Sequence, residues 1–174
     1  MSYARQMLDT YPRPPAVDAG LLAAAIDAAG DCAQACTADT DADLGEPNLA
    51  EMVTCIRLCL DCTDICTATA GVLSRPAGYD LSATRLLVGA CAAICQSCGN
   101  ECERHAHMPH CRVCAEACRR CDLACRDLLE ACVAICTSCG DECERHAHMP
   151  HCRICAEACR RCERACRELL DALN

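Results

Sequence analysis

Apolar and cysteine positions recur every three or four residues through most of the chain, which is the spacing that places side chains on one face of an α-helix. Between them stand Asp, Glu, Arg, Ser and Thr, so each segment also has a polar face. The pattern predicts helices over about residues 19–40, with Asp18 as N-cap, and over about residues 49–73. An acidic turn that contains Gly45 and Pro47 separates them.

A third helix is predicted to start near Ser82 and to end before the His-Ala-His-Met-Pro-His segment at residues 105–110. Pro109 breaks the helical pattern and then suits the first turn of the next helix. The stretch between Cys125 and Cys132 contains neither Gly nor Pro, and its inner positions keep helical phase. We therefore predict one continuous helix over about residues 110–146, roughly 55 Å long.

An internal repeat explains this long helix. Residues 90–130 align with residues 131–171 at an offset of 41, and 33 of the 41 positions are identical. The identity indicates either a recent duplication or an engineered chain. The sequence thus divides into an N-terminal arm (1–17), a helical bundle (18–129) and a duplicated helical hairpin (130–174), which we call the second hairpin.

Four helices with short connections predict an all-α, up-down-up-down four-helix bundle. That topology brings one set of apolar residues together as a plug at one end: Leu22, Ile26, Leu73, Leu86, Leu87, Leu128 and Leu129. The opposite end gathers Met52 and a set of soft or borderline metal ligands: His105, His107, Met108 and His110. The inner positions between these ends form what we call the sulfur tube: Cys32, Cys36, Cys55, Cys59, Cys62, Cys66, Cys91, Cys95, Cys98, Cys102, Cys111, Cys114, Cys118, Cys121 and Cys125. Glu101, Glu103, Glu142 and Glu144 flank thiols and are expected to point outward.

The second hairpin carries the same ligands on two helices alone: Cys132, Cys136, Cys139, Cys143, Cys152, Cys155, Cys159, Cys162 and Cys166, with His146, His148, Met149 and His151 at its tip. Two helices make only half a tube, so we expect a homodimer through this hairpin, or a larger assembly. The alternative is a sharp turn at residues 129–131 and a compact six-helix domain.

The chain has 24 cysteines in 174 residues, no Phe and no Trp, and such a composition is usually that of a secreted disulfide scaffold. The N-terminus shows no apolar run of signal-peptide length, and no stretch is expected to be long enough to span a membrane. Helical neighbours hold their Cβ atoms about 5–6 Å apart, whereas a disulfide needs about 3.5–4.5 Å. We therefore expect a reducing compartment, the cytoplasm, although disulfides between helices remain an alternative. The net charge of −9 argues against a nucleic-acid partner.

A helical face of thiols has few uses. Iron–sulfur clusters typically take cysteines from tight loops, and one structural zinc ion needs only four ligands. Cu(I) is soft, prefers thiolate and thioether ligands and neutralises one thiolate per ion. Multiple Cu(I) ions per chain, roughly 12–24, are therefore expected on the thiols. A zinc or mixed thiophilic-metal buffer, or a disulfide-stabilised scaffold, is the alternative.

The chain resembles the cytosolic copper storage proteins. The resemblance covers about residues 1–129 and rests on the YPRPP arm, the Cys-x3-Cys-x2-Cys-x3-Cys helices, and HMPHC followed by CAEACRRC. It implies a four-helix bundle that stores Cu(I) on the cysteines of the sulfur tube, with entry at the His/Met end and no enzymatic activity. Members of the family end near Leu128, so the second hairpin departs from the pattern, and metal binding there is inferred from the repeat.

Overall fold

The computed structural model describes residues 1–78 and 81–174, which form helices and no strand. The described helices are α1 (Tyr3–Asp9), α2 (Ala19–Leu44), α3 (Leu49–Leu73), α4 (Leu81–Arg104), α5 (Pro109–Arg145) and α6 (Pro150–Ala172). The all-α class predicted from the sequence is therefore confirmed.

The N-terminal arm contains the short helix α1, which packs on α2 through the buried Leu8. The Ser2 hydroxyl accepts a hydrogen bond from the backbone N–H of Arg5 and so caps the helix. The extended Tyr11–Pro15 stretch is held to the bundle where the Tyr11 hydroxyl donates to the carbonyl of Ser74.

Helix α2 begins as the sequence predicts but ends later. The Asp18 side chain accepts from the N–H groups of Gly20 and Leu21, as an N-cap does. The helix then continues to Leu44 instead of ending near residue 40. The acidic stretch was expected to be a turn, but Asp39 and Asp43 face the interior and keep the helical pattern through another turn.

Helices α2, α3, α4 and the first half of α5 form the four-helix bundle. Helix α2 packs against α3 and α5, and α4 packs against the same two helices. Consecutive helices are antiparallel because their connections are short, which is the predicted up-down-up-down order.

Helix α5 runs without interruption from Pro109 to Arg145, a length of about 55 Å at 1.5 Å per residue. Pro109 lies at its first turn, where the missing N–H costs no hydrogen bond. The continuous helix is thus confirmed, and the alternative sharp turn at residues 129–131 is wrong.

Helix α6 folds back along the second half of α5, and its end reaches the bundle. The Leu169 side chain packs so closely on Gly89 of α4 that a Cβ at this glycine would lie 3.0 Å from it. The carbonyl of Leu173 accepts hydrogen bonds from Gln96 and from Arg126. The second hairpin is therefore anchored at its base, beside α4, while its tip extends beyond the bundle.

The apolar plug at the base of the bundle differs in two members from the prediction. Leu22, Ile26, Leu73, Leu128 and Leu129 are buried there, but Leu86 is 58% exposed and Leu87 is only half-buried. Val88 takes their place because it lies three residues before Cys91, on the same helical face. A small apolar cavity of about 80 Å³ lies within this region.

By length and composition alone, α4 could cross a membrane, contrary to the sequence expectation. Its cysteines, however, all face the interior of the bundle and are fully buried. The core helix of a bundle meets the same length and composition criteria, so this feature is weak evidence for a membrane span.

Candidate metal centre

All fifteen cysteines of the sulfur tube are free thiols, and none is more than 1% exposed. They project inward because cysteine occupies alternating three- and four-residue spacings on each helix, which keeps the side chains on one seam. Neighbouring Sγ atoms lie 3.5–4.0 Å apart, in contacts such as Cys36–Cys114 and Cys32–Cys36. These separations are far longer than the 2.05 Å of an S–S bond.

The thiols form a shared network that is not divided into separate sites. The Sγ of Cys32 lies within 4.0 Å of four other sulfur atoms, which belong to Cys36, Cys62, Cys95 and Cys118. These partners come from all four helices of the bundle. A single sulfur can therefore belong to more than one metal-binding group.

Several groups of four ligand atoms lie within 4.8 Å of one another, which is close enough to hold one ion. Four of them consist only of sulfur: Cys32/Cys62/Cys66/Cys95, Cys32/Cys36/Cys62/Cys118, Cys36/Cys59/Cys98/Cys114 and Cys66/Cys91/Cys95/Cys121. Such three-dimensional clustering of soft ligands suits thiophilic metal ions. Because the groups overlap, the tube can hold neighbouring ions bridged by common sulfurs.

Two buried carboxyl groups, Asp39 and Asp43, lie at the His/Met end of the tube, and the sequence analysis missed both. Oδ2 of Asp39 accepts hydrogen bonds from the thiols of Cys59 and Cys102, at 3.3 and 3.6 Å. Burial raises the pKa of Asp39 to about 8, and it also raises the pKa of Asp43. The available signal was their spacing: Asp39 follows Cys36 by three residues and Asp43 follows Asp39 by four, in phase with the inner stripe.

Asp43 connects the tube to the tip of the first hairpin, which consists of α4 and the first half of α5. Its Oδ1 accepts a hydrogen bond from the Cys111 thiol at 3.5 Å and lies 3.2 Å from Nε2 of His110. Burial, reinforced by the negative charge of Asp39, raises the pKa of Cys111. A path of ligand atoms therefore leads from the partly exposed His110 through a carboxylate to the first thiol of α5.

The other tip residues differ in how far they are enclosed. His105 is partly buried, and its Nε2 lies 3.4 Å from the carboxylate of Glu101. Glu101 is itself buried, so the expectation that it points outward is wrong. It lies three residues after Cys98, and this spacing places its side chain on the same helical face as that cysteine. His107 is exposed, whereas Met108 is partly buried and packs on the core.

The second hairpin reproduces the thiol face without its cover. Eight of its nine cysteines are half-buried, and Cys166, at its base, is buried. Cys132 and Cys162 approach to 3.6 Å, and Cys139 and Cys155 to 3.8 Å. Its tip is open: His146, His148 and His151 are exposed, and Met149 is half-buried.

Comparison with known proteins identifies relatives for most of the chain. The model of the copper storage protein family matches residues 19–130 and again residues 126–171. Among curated proteins, the cysteine-rich protein YhjQ of Bacillus subtilis is 34% identical over 105 residues, which cover 60% of this chain and 93% of YhjQ.

Solved structures show the same likeness. The copper storage protein Ccsp from Streptomyces lividans, loaded with 10 copper equivalents, is 52% identical, with a TM-score of 0.72 over 74% of this chain and 98% of that chain. A second structure of the Streptomyces lividans protein, described as cytosolic and containing five coppers, is 55% identical, with a TM-score of 0.61 over 63% of this chain and 92% of that chain.

Proposed function

Because the chain belongs to the copper storage protein family, we propose that it holds many Cu(I) ions on its cysteine thiolates and acts as a cytoplasmic binding protein, not as an enzyme. The observation that carries this proposal is the sulfur tube itself. Fifteen free thiols, none more than 1% exposed, line one interior, and their Sγ atoms approach one another to 3.5–4.0 Å, which suits soft metal ions.

Charge favours a monovalent ion. A buried thiolate is costly unless a positive charge lies beside it. When Cu(I) binds, each thiol that becomes a ligand loses its one proton to water, Cu–S bonds form in place of its S–H bond, and no electron moves. One Cu(I) per thiolate leaves the interior neutral, whereas a zinc ion on four thiolates leaves two negative charges in the tube.

The proposed ligands of the first compartment are the fifteen cysteines of the sulfur tube. Sulfur separations of 3.5–4.0 Å allow one ion to bridge two or three thiolates without a large movement of the helices. Asp39 joins this set at the His/Met end, where its carboxylate lies among Cys55, Cys59 and Cys102. The nine cysteines of the second hairpin are proposed as ligands of a second compartment.

Copper is proposed to enter at the His/Met tips. In the first hairpin, His110, Asp43 and Cys111 form a continuous path of ligand atoms from solvent to the tube. His105, His107 and Met108 add imidazole and thioether groups around the same opening. The opposite end is closed by the buried side chains of Leu22, Leu73 and Leu129. His146, His148, Met149 and His151 are proposed to play the same part for the second hairpin.

The test is a titration of the fully reduced chain with Cu(I) in competition with a strong Cu(I) chelator, beside a parallel titration with Zn²⁺. The proposal expects the chain to take many Cu(I) equivalents from the chelator and to prefer Cu(I) over zinc. Saturation at a few equivalents with a preference for zinc would instead indicate a zinc buffer. A low count of free thiols in protein kept under reducing conditions would indicate a disulfide scaffold.

A further inference from the structure

We propose that a second copy of this chain covers the thiol face of the second hairpin, so that two hairpins enclose one shared compartment of eighteen cysteines. The association is argued from the hairpin's surface alone. The claim that the shared compartment holds copper rests on the function proposed above.

The second hairpin repeats the internal contacts of the first. Arg160 pairs with Glu144 as Arg119 pairs with Glu103, at positions that differ by 41. The thiols of Cys132 and Cys162 meet at 3.6 Å, and the equivalent thiols of the first hairpin meet at 3.7 Å. The two hairpins therefore present the same inner face.

What differs is the cover over that face. In the bundle, α2 and α3 lie on α4 and α5, and every thiol there is buried. Neither α2 nor α3 packs against α6 within the described residues, and eight thiols of the second hairpin stay half-exposed. Apolar side chains show the same difference in cover. Ile94 packs against the core of the bundle, but its equivalent in the second hairpin, Ile135, is 42% exposed.

The second hairpin of another copy is the occupant that fits. At the base of the face, Arg85 of α4 donates a hydrogen bond to the Cys162 thiol at 3.8 Å. Beyond the base, the face carries sulfur, small side chains and Ile135, so a close-packed partner must bring small inner residues of its own. Within this chain α2 and α3 already cover the first hairpin, which leaves the second hairpin as the free surface of the required kind. Two helices about 30 Å long and 10 Å wide present roughly 600 Å² per copy in projection, close to the area that a specific protein–protein interface buries.

The path of α5 fixes the direction of the pairing. The inner stripe of this helix continues in phase from Cys125 through Leu128 to Cys132, so α2 and α3 lie in line with the open layer over the second hairpin. If the α5 helices of the two copies were parallel, the first half of the partner's α5 would collide with α2 and α3. The two-fold axis is therefore perpendicular to α5, and each tip points toward the plug of the other copy.

Ile135 provides a test that removes no thiol. Ile135→Arg places a charge on the proposed interface, and the side chain is exposed enough in one chain for the fold to persist. Ile154→Arg is the matched control, because Ile154 is 66% exposed and its equivalent Val113 remains 61% exposed even in the covered bundle. Far-UV circular dichroism would verify that both variants stay helical.

The experiment measures mass by size exclusion with light scattering on the full, reduced chain, without copper and after loading with Cu(I). We expect a dimer of twice 18.6 kDa for the unchanged chain and for I154R, and a monomer for I135R that binds fewer copper equivalents with an unchanged thiol count. A monomeric unchanged chain in both states, or an assembly that I135R leaves intact, would overturn the inference. Copper-loaded monomers would contradict the shared compartment but not the copper-binding function. A dimer that binds no copper would contradict that function but not the association of the hairpins.

Discussion

The thiol of Cys59 donates a hydrogen bond to Oδ2 of Asp39 at 3.3 Å, inside a bundle where both side chains are buried. The contact joins the sulfur tube to a carboxyl group that water does not reach. Burial favours the neutral form of that carboxyl, and it raises its pKa from 3.8 to about 8.

This shift predicts how the stability of the copper-free protein depends on pH. Between about pH 4 and pH 8 the folded chain holds a proton on Asp39 that the unfolded chain has released, so the contribution of Asp39 to stability is greatest below this window and falls as pH rises through it. Asp39→Asn removes the group. We expect the fall in the free energy of unfolding to become shallower, by up to about 1.4 kcal/mol per pH unit.

Urea unfolding of the reduced protein at pH 5, 6, 7 and 8 measures this slope. Asp31→Asn is the control, because Asp31 is exposed and pairs with Arg120 at the surface. Equal slopes for D39N and the unchanged chain would refute the prediction.

A second prediction follows from the shared sulfurs. Cys32 contacts four other thiols, whereas the described hydrogen bond of Cys111 is to the carboxylate of Asp43. Cys32→Ala should therefore lower the copper capacity by more than one equivalent, because several ions share that sulfur. Cys111→Ala should lower it less. Mass spectrometry of the loaded variants counts the ions, and equal losses for the two would mean that the thiols act as independent sites.

The apolar plug provides a stability prediction. Leu129 is 3% exposed, so Leu129→Ala leaves a cavity and should destabilise the chain by about 2–5 kcal/mol. Leu86→Ala should change the free energy of unfolding by less than about 0.5 kcal/mol, because Leu86 is mostly exposed. Thermal or urea unfolding followed by circular dichroism distinguishes them. A similar loss from both variants would place Leu86 in the core after all.

The comparison of Leu86 with Val88 shows what the sequence could and could not predict. Helix count, the continuous α5 and the inward cysteines follow from three- and four-residue spacing, which needs no tertiary information. The end of an inward-facing stripe is harder to predict. Leu86 and Leu87 are equally apolar, and inner positions are recognised only by counting three or four residues back from Cys91. Val88 lies three residues before Cys91 on the inner face, whereas Leu86, five residues before it, lies off that face.

The burial of Asp39 and Asp43 was not predicted, for a different reason. Charged residues are seldom buried, so an acidic stretch that leads to Gly45 and Pro47 predicts a turn and not an inner face. The burial of the two aspartates depends on thiols that arrive from α3, α4 and α5, so the partner groups lie far away in sequence. Glu101 was misjudged in the same way, because its contact with His105 appears only once the tip has folded.

The route through the tip predicts a kinetic effect. His110 lies beside Asp43, which contacts the first thiol of α5, whereas His107 is exposed. His110→Ala should slow Cu(I) uptake from a chelator several-fold while the final capacity stays the same, and His107→Ala should slow it less. Stopped-flow absorbance of the chelator measures both rates. Unchanged rates in H110A would show that copper enters elsewhere.

The account depends on soft metal ions replacing protons on the buried thiols. Native mass spectrometry of the reduced chain after Cu(I) loading, with free thiols counted in parallel, measures this directly. We expect 24 free thiols before loading and roughly 12–24 Cu(I) ions per chain afterwards, according to whether each ion takes two thiolates or one. A chain that saturates at two or three ions while most of its thiols remain reactive would contradict it.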